Sequence, residues 1–188
     1  MNQILAAALE LQEFLQERNW RFCIIGGLAV ARWGQPRATQ DVDLSLFAGL
    51  GSEEQYVDPL LERFRARVTN ARDFALASRV VLLDASNGVP LDIALAAYDF
   101  EERVIARASP FQFAAGLELV TASLEDVLVL KAFADRPQDW ADVEGIAVRQ
   151  AGCIDWDYVE TELGPLCELK ETREPLARLQ EIQARLGH

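Results

Sequence analysis

Apolar and polar positions divide the chain into a first part that alternates between helix and strand patterns and a second part that is mainly helical. Apolar residues at helical spacing predict a first helix over residues 2–18. Short apolar runs follow it, and the Asn87-Gly88 pair between two of them is typical of a β-hairpin turn. Strands are predicted over residues 20–26, 40–47, 77–83 and 89–96, and further helices over residues 28–33, 52–67 and 98–105.

The second part contains one more predicted strand, followed by helices. Ser123 has the side chain of a helix N-cap, and Asp126, three residues later, completes a capping signal. Gly164-Pro165 predicts a break in the last helical stretch. The strand is predicted over residues 117–121, and the helices over residues 123–134, from residue 138 onward, and over residues 156–186.

These elements predict an α+β fold with one internal boundary. Residues 1–105 form a core with a short mixed sheet flanked by helices, and residues 106–188 form a mainly helical C-terminal part that packs on this core. The chain, at 188 residues, is long enough to bury one substantial hydrophobic core. The boundary is soft, because the strand over residues 117–121 can return to the sheet.

Charge limits the partners of the protein. Its net charge is −12, with 18 basic and 30 acidic residues, whereas a protein that binds long nucleic acid normally has a basic surface. Extended nucleic acid is therefore a poor candidate partner. The only histidine is His188, which excludes histidine metal sites and histidine acid–base catalysis. Four arginines form either a local basic patch or, as we favour, the solvated face of a helix: Arg63, Arg65, Arg67 and Arg72.

The sequence lacks the patterns of export and of membrane insertion. No apolar run reaches the roughly 18–20 residues that cross a bilayer, and acidic residues near the first position argue against a secretory signal. Cys23, Cys153 and Cys167 form no Cys-x-x-Cys pair and are odd in number. We therefore expect a cytoplasmic protein with reduced thiols and no membrane partner.

A glycine step and a pair of carboxylates are the strongest chemical signal. Gly26 and Gly27 end an apolar strand, and Asp41 and Asp43 lie on the next strand, two positions apart. Alternate strand residues share a face, so the two carboxylates point the same way. Neighbouring carboxylates repel one another and need a cation. A divalent ion beside a glycine turn predicts chemistry on a nucleoside triphosphate (NTP).

A third carboxylate normally completes such a site, since paired Mg²⁺ ions prefer a shell of oxygen ligands. Asp92 is one candidate, because it lies between apolar neighbours in a predicted strand. Asp84 is a rival, although it lies beside a turn, where aspartate is common for conformational reasons. The sequence leaves this choice open.

The combined pattern resembles the nucleotidyltransferase superfamily of the DNA polymerase β type. It consists of an apolar-Gly-Gly step, then Asp-apolar-Asp-apolar, and later a strand aspartate. The string GGLAVARWGQPRATQDVDLS resembles the branch that contains abortive-infection-type nucleotidyltransferase toxins and minimal nucleotidyltransferases. The stretch LEDVLVLK, followed by RPQD and Asp142, is similar to the second half of that branch. The resemblance covers residues 20–150.

The resemblance implies a role for each residue of the motif. Asp41 and Asp43 would hold two Mg²⁺ ions, and Asp92 would complete the set and help to deprotonate the acceptor hydroxyl. Backbone amides at the glycine step would approach the triphosphate, as at other strand-to-helix turns that bind anions. Gly27 stands where many members have a serine, so only backbone donors are available there.

Five further residues are candidates for accessory roles, each with a structural alternative. Arg37 could contact the triphosphate and Thr39 could orient a metal ligand, or both could serve as local hydrogen-bonding groups of a loop. Lys131 lies on the apolar stripe of its helix, where it either reaches solvent or, as the resemblance favours, binds phosphate. Asp139 and Asp142 adjoin the active site in similar proteins, but acids also suit the first turn of any helix.

The predicted function is Mg²⁺-dependent transfer of a nucleoside monophosphate from an NTP such as ATP to an acceptor hydroxyl, with release of pyrophosphate. The acceptor is a small molecule, an RNA or a protein, and a toxin would also have a cognate antitoxin partner. Two alternatives are an antibiotic nucleotidyltransferase of the aminoglycoside type and a non-catalytic binding protein that keeps the fold. Trp140 and Trp156 are expected in the core rather than beneath a nucleobase.

Overall fold

The structure is a computed structural model, and it describes residues 2–187. Helices and strands alternate through the first two thirds of these residues, and helices follow. The helices are α1 (Gln3–Glu17), α2 (Gly26–Trp33), α3 (Glu54–Arg63), α4 (Ala71–Ser78), α5 (Asp99–Arg107), α6 (Leu124–Ala134), α7 (Pro137–Arg149), α8 (Trp156–Leu169) and α9 (Glu174–Leu186). The strands are β1 (Phe22–Ile24), β2 (Val42–Phe47), β3 (Arg65–Ala66), β4 (Val80–Asp84), β5 (Pro90–Ala96), β6 (Ser109–Ala114) and β7 (Leu117–Thr121).

The strands form one mixed sheet of seven in the order β3-β4-β5-β2-β1-β7-β6. Strand β2 lies near the centre, antiparallel to β1 and parallel to β5. Strands β4 and β5 form the hairpin that the Asn87-Gly88 pair predicts, and Gly88 adopts the left-handed backbone that this turn needs, with φ of +81°. Strand β7 returns to the sheet beside β1, parallel to it. The predicted α+β class with a mixed sheet and a helical C-terminal part is confirmed.

The described residues group into two compact units. One contains the described residues up to Leu28 together with Ala38–Ala122, and the other contains Ala29–Arg37 together with the described residues from Ser123 onward. Residues 106–122 thus group with the sheet. The division into domains at residue 105 stays a prediction.

Each unit has its own buried apolar residues. In the first unit, α1 and the central strands form the core, with Leu11, Leu15 and Leu44 fully buried. In the second unit the buried set includes Trp140 and Trp156, as expected for core tryptophans. Within residues 2–187 no helix is long and apolar enough to cross a membrane.

The region after α3 differs from the sequence prediction. The predicted helix over residues 52–67 is too long, because Phe64 takes an extended backbone and places its ring in the core. The short strand β3 follows at once and pairs with β4. Helix α4, which was not predicted, lies between Asn70 and Arg79, both of which have left-handed backbone conformations. These two residues set the helix ends, so β4 begins only at Val80.

Two further differences concern α8 and β6. The predicted break at Gly164-Pro165 is wrong, since α8 continues through it and buries Leu163 and Cys167 on either side. That burial outweighs the one backbone hydrogen bond that a proline removes. Strand β6 was missed because it lies at the sheet edge and is mostly exposed, so it lacks a buried face.

Candidate functional site

Three carboxylates converge on one face of the sheet in the first unit. Asp43 on β2 lies directly beside Asp92 on the parallel strand β5. Asp41 comes just before β2, two positions from Asp43, and so shares its face. Ligand oxygens of all three lie within 4.8 Å of one another, and each residue is half-buried. The structure thus brings together the three residues that the sequence predicted as metal ligands; their catalytic role stays a prediction.

Strand alternation explains why these acids share one face. Val42 and Leu44 on β2 and Leu91 and Ile93 on β5 are fully buried in the core. Because neighbouring strand residues point to opposite faces, the residues between them point away from this core. The apolar residues therefore fix the direction in which the carboxylates point.

The glycine step packs against two of these polar side chains. Gly26 has φ of +60°, and a Cβ atom placed on it would overlap the Asp43 carboxylate. A Cβ on Gly27 would lie 2.5 Å from Thr39 Oγ1. The backbone amide of Ile25 also donates to the carbonyl of Asp43, at 2.9 Å. Only glycine lets the start of α2 approach the carboxylates this closely.

Thr39 contacts the first of the three acids. Its Oγ1 donates to Asp41 Oδ1 at 3.1 Å. This contact fits the predicted role of Thr39 in orienting a metal ligand, and it is also a local loop hydrogen bond. Both alternatives are compatible with the same geometry.

Asp84, the rival third acid, is engaged elsewhere. It lies opposite Pro90, at the end of β4, and its Oδ2 accepts from Arg65 at 2.6 Å. The group of three consists of Asp41, Asp43 and Asp92. The geometry therefore favours Asp92 as the third ligand.

The four arginines that were candidates for a basic patch are each paired with acidic side chains. Arg63 pairs with Glu10, and Arg65 with Asp84. Arg72 pairs with Glu54 and Asp58, and Arg67 with Asp92. These residues do not form one helix face as we favoured, because Arg65 belongs to β3 and Arg72 to α4. Each positive charge is offset by a carboxylate, so this region has little net positive charge.

Sequence reasoning missed the contact between Arg67 and Asp92. The signal was present as two arginines at alternate positions, Arg65 and Arg67, which is strand rather than helix spacing. Strand β3 is short and exposed, so no pattern of apolar residues supported a strand prediction there.

The second unit contains a separate, buried ion cluster. Lys131 Nζ lies 2.8 Å from Asp139 Oδ1 and 3.0 Å from Asp142 Oδ2. Arg37 donates to both carboxylate oxygens of Asp142, at 3.0 and 3.1 Å. Arg136 donates to Asp139 Oδ2 at 2.5 Å. Sequence analysis selected four of these residues for the site, and the structure joins those four to one another. The predicted phosphate contacts of Lys131 and Arg37 stay predictions.

Two opposing effects act on the pKa of Asp139. Burial would raise the pKa, but hydrogen bonds and positive charge from Arg136 and Lys131 outweigh it and hold the pKa below its usual value. Asp139 is therefore a charged partner in the cluster at neutral pH.

A metal ion is compatible with the group of three acids. Carboxylate oxygens are the ligands that Mg²⁺ prefers, and three of them converge here. Gly26 presents no side chain toward Asp43, so the backbone lies against the carboxylate. The donor chemistry and the close backbone approach both fit a divalent cation beside a phosphate group.

The fold and the group of three acids are those expected of a nucleotidyltransferase. A sequence match to a family model identifies the family. A family model described as "Nucleotidyltransferase of unknown function (DUF6036)" matches residues 2–174. The chain belongs to this family. The predicted membership of the nucleotidyltransferase superfamily is thereby confirmed. No curated protein matches the sequence.

Several solved structures share the fold. The lincosamide antibiotic adenylyltransferase LnuA, with lincomycin bound, is similar with a TM-score of 0.52 and 14% identity, over 75% of this chain and 94% of that chain. An antigenic nucleotidyltransferase-like protein from Paracoccidioides brasiliensis is similar with a TM-score of 0.54 and 16% identity, over 96% of this chain and 94% of that chain. ANT(2")-Ia in complex with adenylyl-2"-tobramycin is similar with a TM-score of 0.56 and 18% identity, over 88% of this chain and 98% of that chain.

Replacing Gly26 by alanine tests the close approach to Asp43. We expect Gly26→Ala to lower the free energy of unfolding by about 1–3 kcal/mol more than Gly116→Ala does. Both glycines have positive φ, but a Cβ on Gly116 has no atom within 4 Å. The measurement is urea unfolding of both variants and the wild type. Equal losses would show that backbone conformation alone requires Gly26.

Replacing Asp139 by asparagine tests the buried ion cluster. Because the folded-state pKa is lowered, ionised Asp139 contributes stability above its unfolded-state pKa of about 3.9, and this contribution is lost as pH falls through the folded-state value. We expect Asp139→Asn to cost about 2 kcal/mol at pH 7, and to cost less below pH 4.

The measurement is urea unfolding from pH 7 to pH 3. Asp157→Asn is the control, because Asp157 is exposed in the first turn of α8. A constant difference between Asp139→Asn and the wild type at every pH would contradict the prediction.

Proposed function

We propose that the protein is a Mg²⁺-dependent nucleotidyltransferase that transfers a nucleoside monophosphate from an NTP to an acceptor hydroxyl. The observation that carries this proposal is the convergence of Asp41, Asp43 and Asp92 within 4.8 Å, beside the glycine step, in a chain of a nucleotidyltransferase family. These three residues would hold the metal. When bound, the metal would activate the acceptor hydroxyl and stabilise negative charge on the phosphates.

The residues of the chain supply the remaining functions. Gly26 and Gly27 begin α2, and amide groups at a helix N-terminus favour phosphate oxygens. Asp92 would accept the proton of the acceptor hydroxyl. The acceptor oxygen then bonds to the α-phosphorus, the bond between that phosphorus and the bridging oxygen to the β-phosphate breaks, and pyrophosphate leaves. No covalent enzyme intermediate is needed, since positioning and electrostatics suffice.

An antibiotic-modifying enzyme is the second candidate, and two observations favour it. LnuA is named as a lincosamide antibiotic adenylyltransferase, and ANT(2")-Ia is described with adenylyl-2"-tobramycin. The net charge of −12 also suits a cationic acceptor better than a nucleic acid. Drug-resistance tests of cells that express the chain, with Asp43→Asn as control, separate this candidate from other small-molecule acceptors.

A toxin role rests on the resemblance of the sequence motif alone. Growth arrest on expression, relieved by a neighbour-encoded protein and absent in Asp43→Asn, would support it. We also propose a cytoplasmic location, where the three cysteines, none of which forms a disulfide in the structure, would stay reduced.

Removing one carboxylate tests the proposed chemistry directly. We expect Asp43→Asn and Asp92→Asn to lower transfer of label from α-labelled NTP by at least about a hundredfold, because each change removes a charge that acts in the transition state. Asp73→Asn is the control, since Asp73 is exposed on α4 and lies outside the group of three.

The same proteins are tested for Mg²⁺-dependent NTP binding by thermal unfolding, because a ligand that binds the folded state raises its stability. The wild type and Asp73→Asn should be stabilised, and the two site variants should not. Equal stabilisation of all four proteins, or equal label transfer, would contradict the proposal.

A further inference from the structure

Arg67 is joined to the acid group through Asp92. Its guanidinium forms an ion pair with Asp92 Oδ1. The backbone amide of Arg67 donates to the Leu82 carbonyl at 3.0 Å, which extends the pairing of β3 with β4 by one residue. Leu82 lies opposite Asp92, and Asp92 lies opposite Asp43. Arg67, Leu82, Asp92 and Asp43 therefore form one row across the sheet, on a single face.

Partial burial strengthens this ion pair. The side chains of Arg67 and Asp92 are 28% and 36% exposed. A pair at this depth is less screened by water and salt than a pair on the open surface. The hydrogen bond from the Arg67 amide to the Leu82 carbonyl also fixes the backbone from which the Arg67 side chain reaches Asp92.

We propose that Arg67 is an internal counter-ion of the metal site. It neutralises Asp92 while the site holds no metal, and it must give up Asp92 before a divalent cation can use all three carboxylates. The inference rests on the proposed function, since it takes Asp41, Asp43 and Asp92 as metal ligands. Arg67 acts through Asp92, so it is a positioning residue rather than a catalytic one.

Arg67 weakens metal binding in two ways. Three carboxylates within 4.8 Å repel one another, and a guanidinium that pairs with one of them lowers this repulsion in the metal-free protein. A divalent cation must then replace an existing ion pair, and it must do so beside a positive charge. Arg67 therefore stabilises the metal-free state relative to the metal-bound state.

Arg65, in β3, provides a control for Arg67, which directly follows that strand. It lies two positions before Arg67, so it shares the same face, and it pairs with Asp84 at 2.6 Å. Asp84 lies outside the group of three. Arg65→Gln thus removes the same charge and breaks another arginine–aspartate ion pair, but leaves Asp92 untouched.

The experiment measures Mn²⁺ binding to the nucleotide-free protein, with free Mn²⁺ followed by electron paramagnetic resonance. We expect Arg67→Gln to bind Mn²⁺ about five- to thirtyfold more tightly than the wild type. Arg65→Gln should stay within about twofold of the wild type, because its charge lies farther from the site. Arg67→Lys keeps the charge and should restore weak binding. Asp43→Asn in each background identifies binding at the acid group.

Circular dichroism checks that the variants fold, and Arg67→Met, which keeps a long apolar side chain, provides a second neutral variant. Arg67→Gln and Arg67→Met binding no tighter than Arg65→Gln, or weaker than the wild type, would overturn the inference while leaving the metal site intact. Absence of Asp43-dependent Mn²⁺ binding in every variant would instead overturn both the inference and the metal requirement of the proposed function.

Discussion

Repulsion among three carboxylates is the constraint on which the first unit depends. The parallel register of β2 and β5 places Asp43 beside Asp92, and the pleat adds Asp41. A carboxylate pair near a protein surface repels by about 4 kcal/mol at 4 Å, whereas one buried aliphatic side chain contributes about 1.5–3 kcal/mol. The buried residues on the opposite face, such as Leu44 and Ile93, can hold the strands in register. They cannot remove the negative charge, which Arg67 offsets in part through its ion pair with Asp92.

The group of three acids and the buried ion cluster differ in where their positive charge comes from. In the second unit, Asp139 and Asp142 are almost fully buried, and Lys131, Arg37 and Arg136 surround them within the same unit. Charges buried this deeply must be matched inside the protein, because water does not reach them. In the first unit the three acids are half-buried, so an ion from solution can reach them. Burial thus separates a cluster that is complete within the chain from one that is suited to an external cation.

The sequence predicts the acid group because its cause is local. Asp41 and Asp43 share a face through strand alternation, which follows from their spacing alone. The choice between Asp84 and Asp92 needed the structure, because the register of β5 against β2 depends on contacts far apart in the chain. Arg67 was missed for a related reason. The strand that precedes it, β3, is two exposed residues long, and the extended backbone at Phe64, which ends α3, is set by packing of the Phe64 ring in the core.

For the accessory residues too, the sequence predicts where each residue lies on its helix but does not predict its ion-pair partner. From the sequence, Lys131 is a candidate because it lies on the apolar stripe of its helix, which is a local property. Asp139 and Asp142 are candidates by resemblance, near a helix start, where acids are common. Their mutual pairing depends on how α6 and α7 pack, and that packing is decided by buried side chains such as Leu128 and Trp140. Position along a helix is therefore predictable, while the partner of a buried charge is not.

Ion pairing of the arginines also affects which acceptors the charge of the protein favours. The arginines Arg63, Arg65 and Arg72 are each paired with acids, so they do not offset the net charge of −12 as a separate positive surface. A polyanionic acceptor would approach this surface against its field, whereas a neutral or cationic molecule would not. A nucleoside triphosphate differs from such an acceptor, because divalent cations bound to its phosphates carry positive charge of their own. An acidic surface is therefore compatible with the NTP donor of the proposed reaction, and it disfavours a polyanionic acceptor.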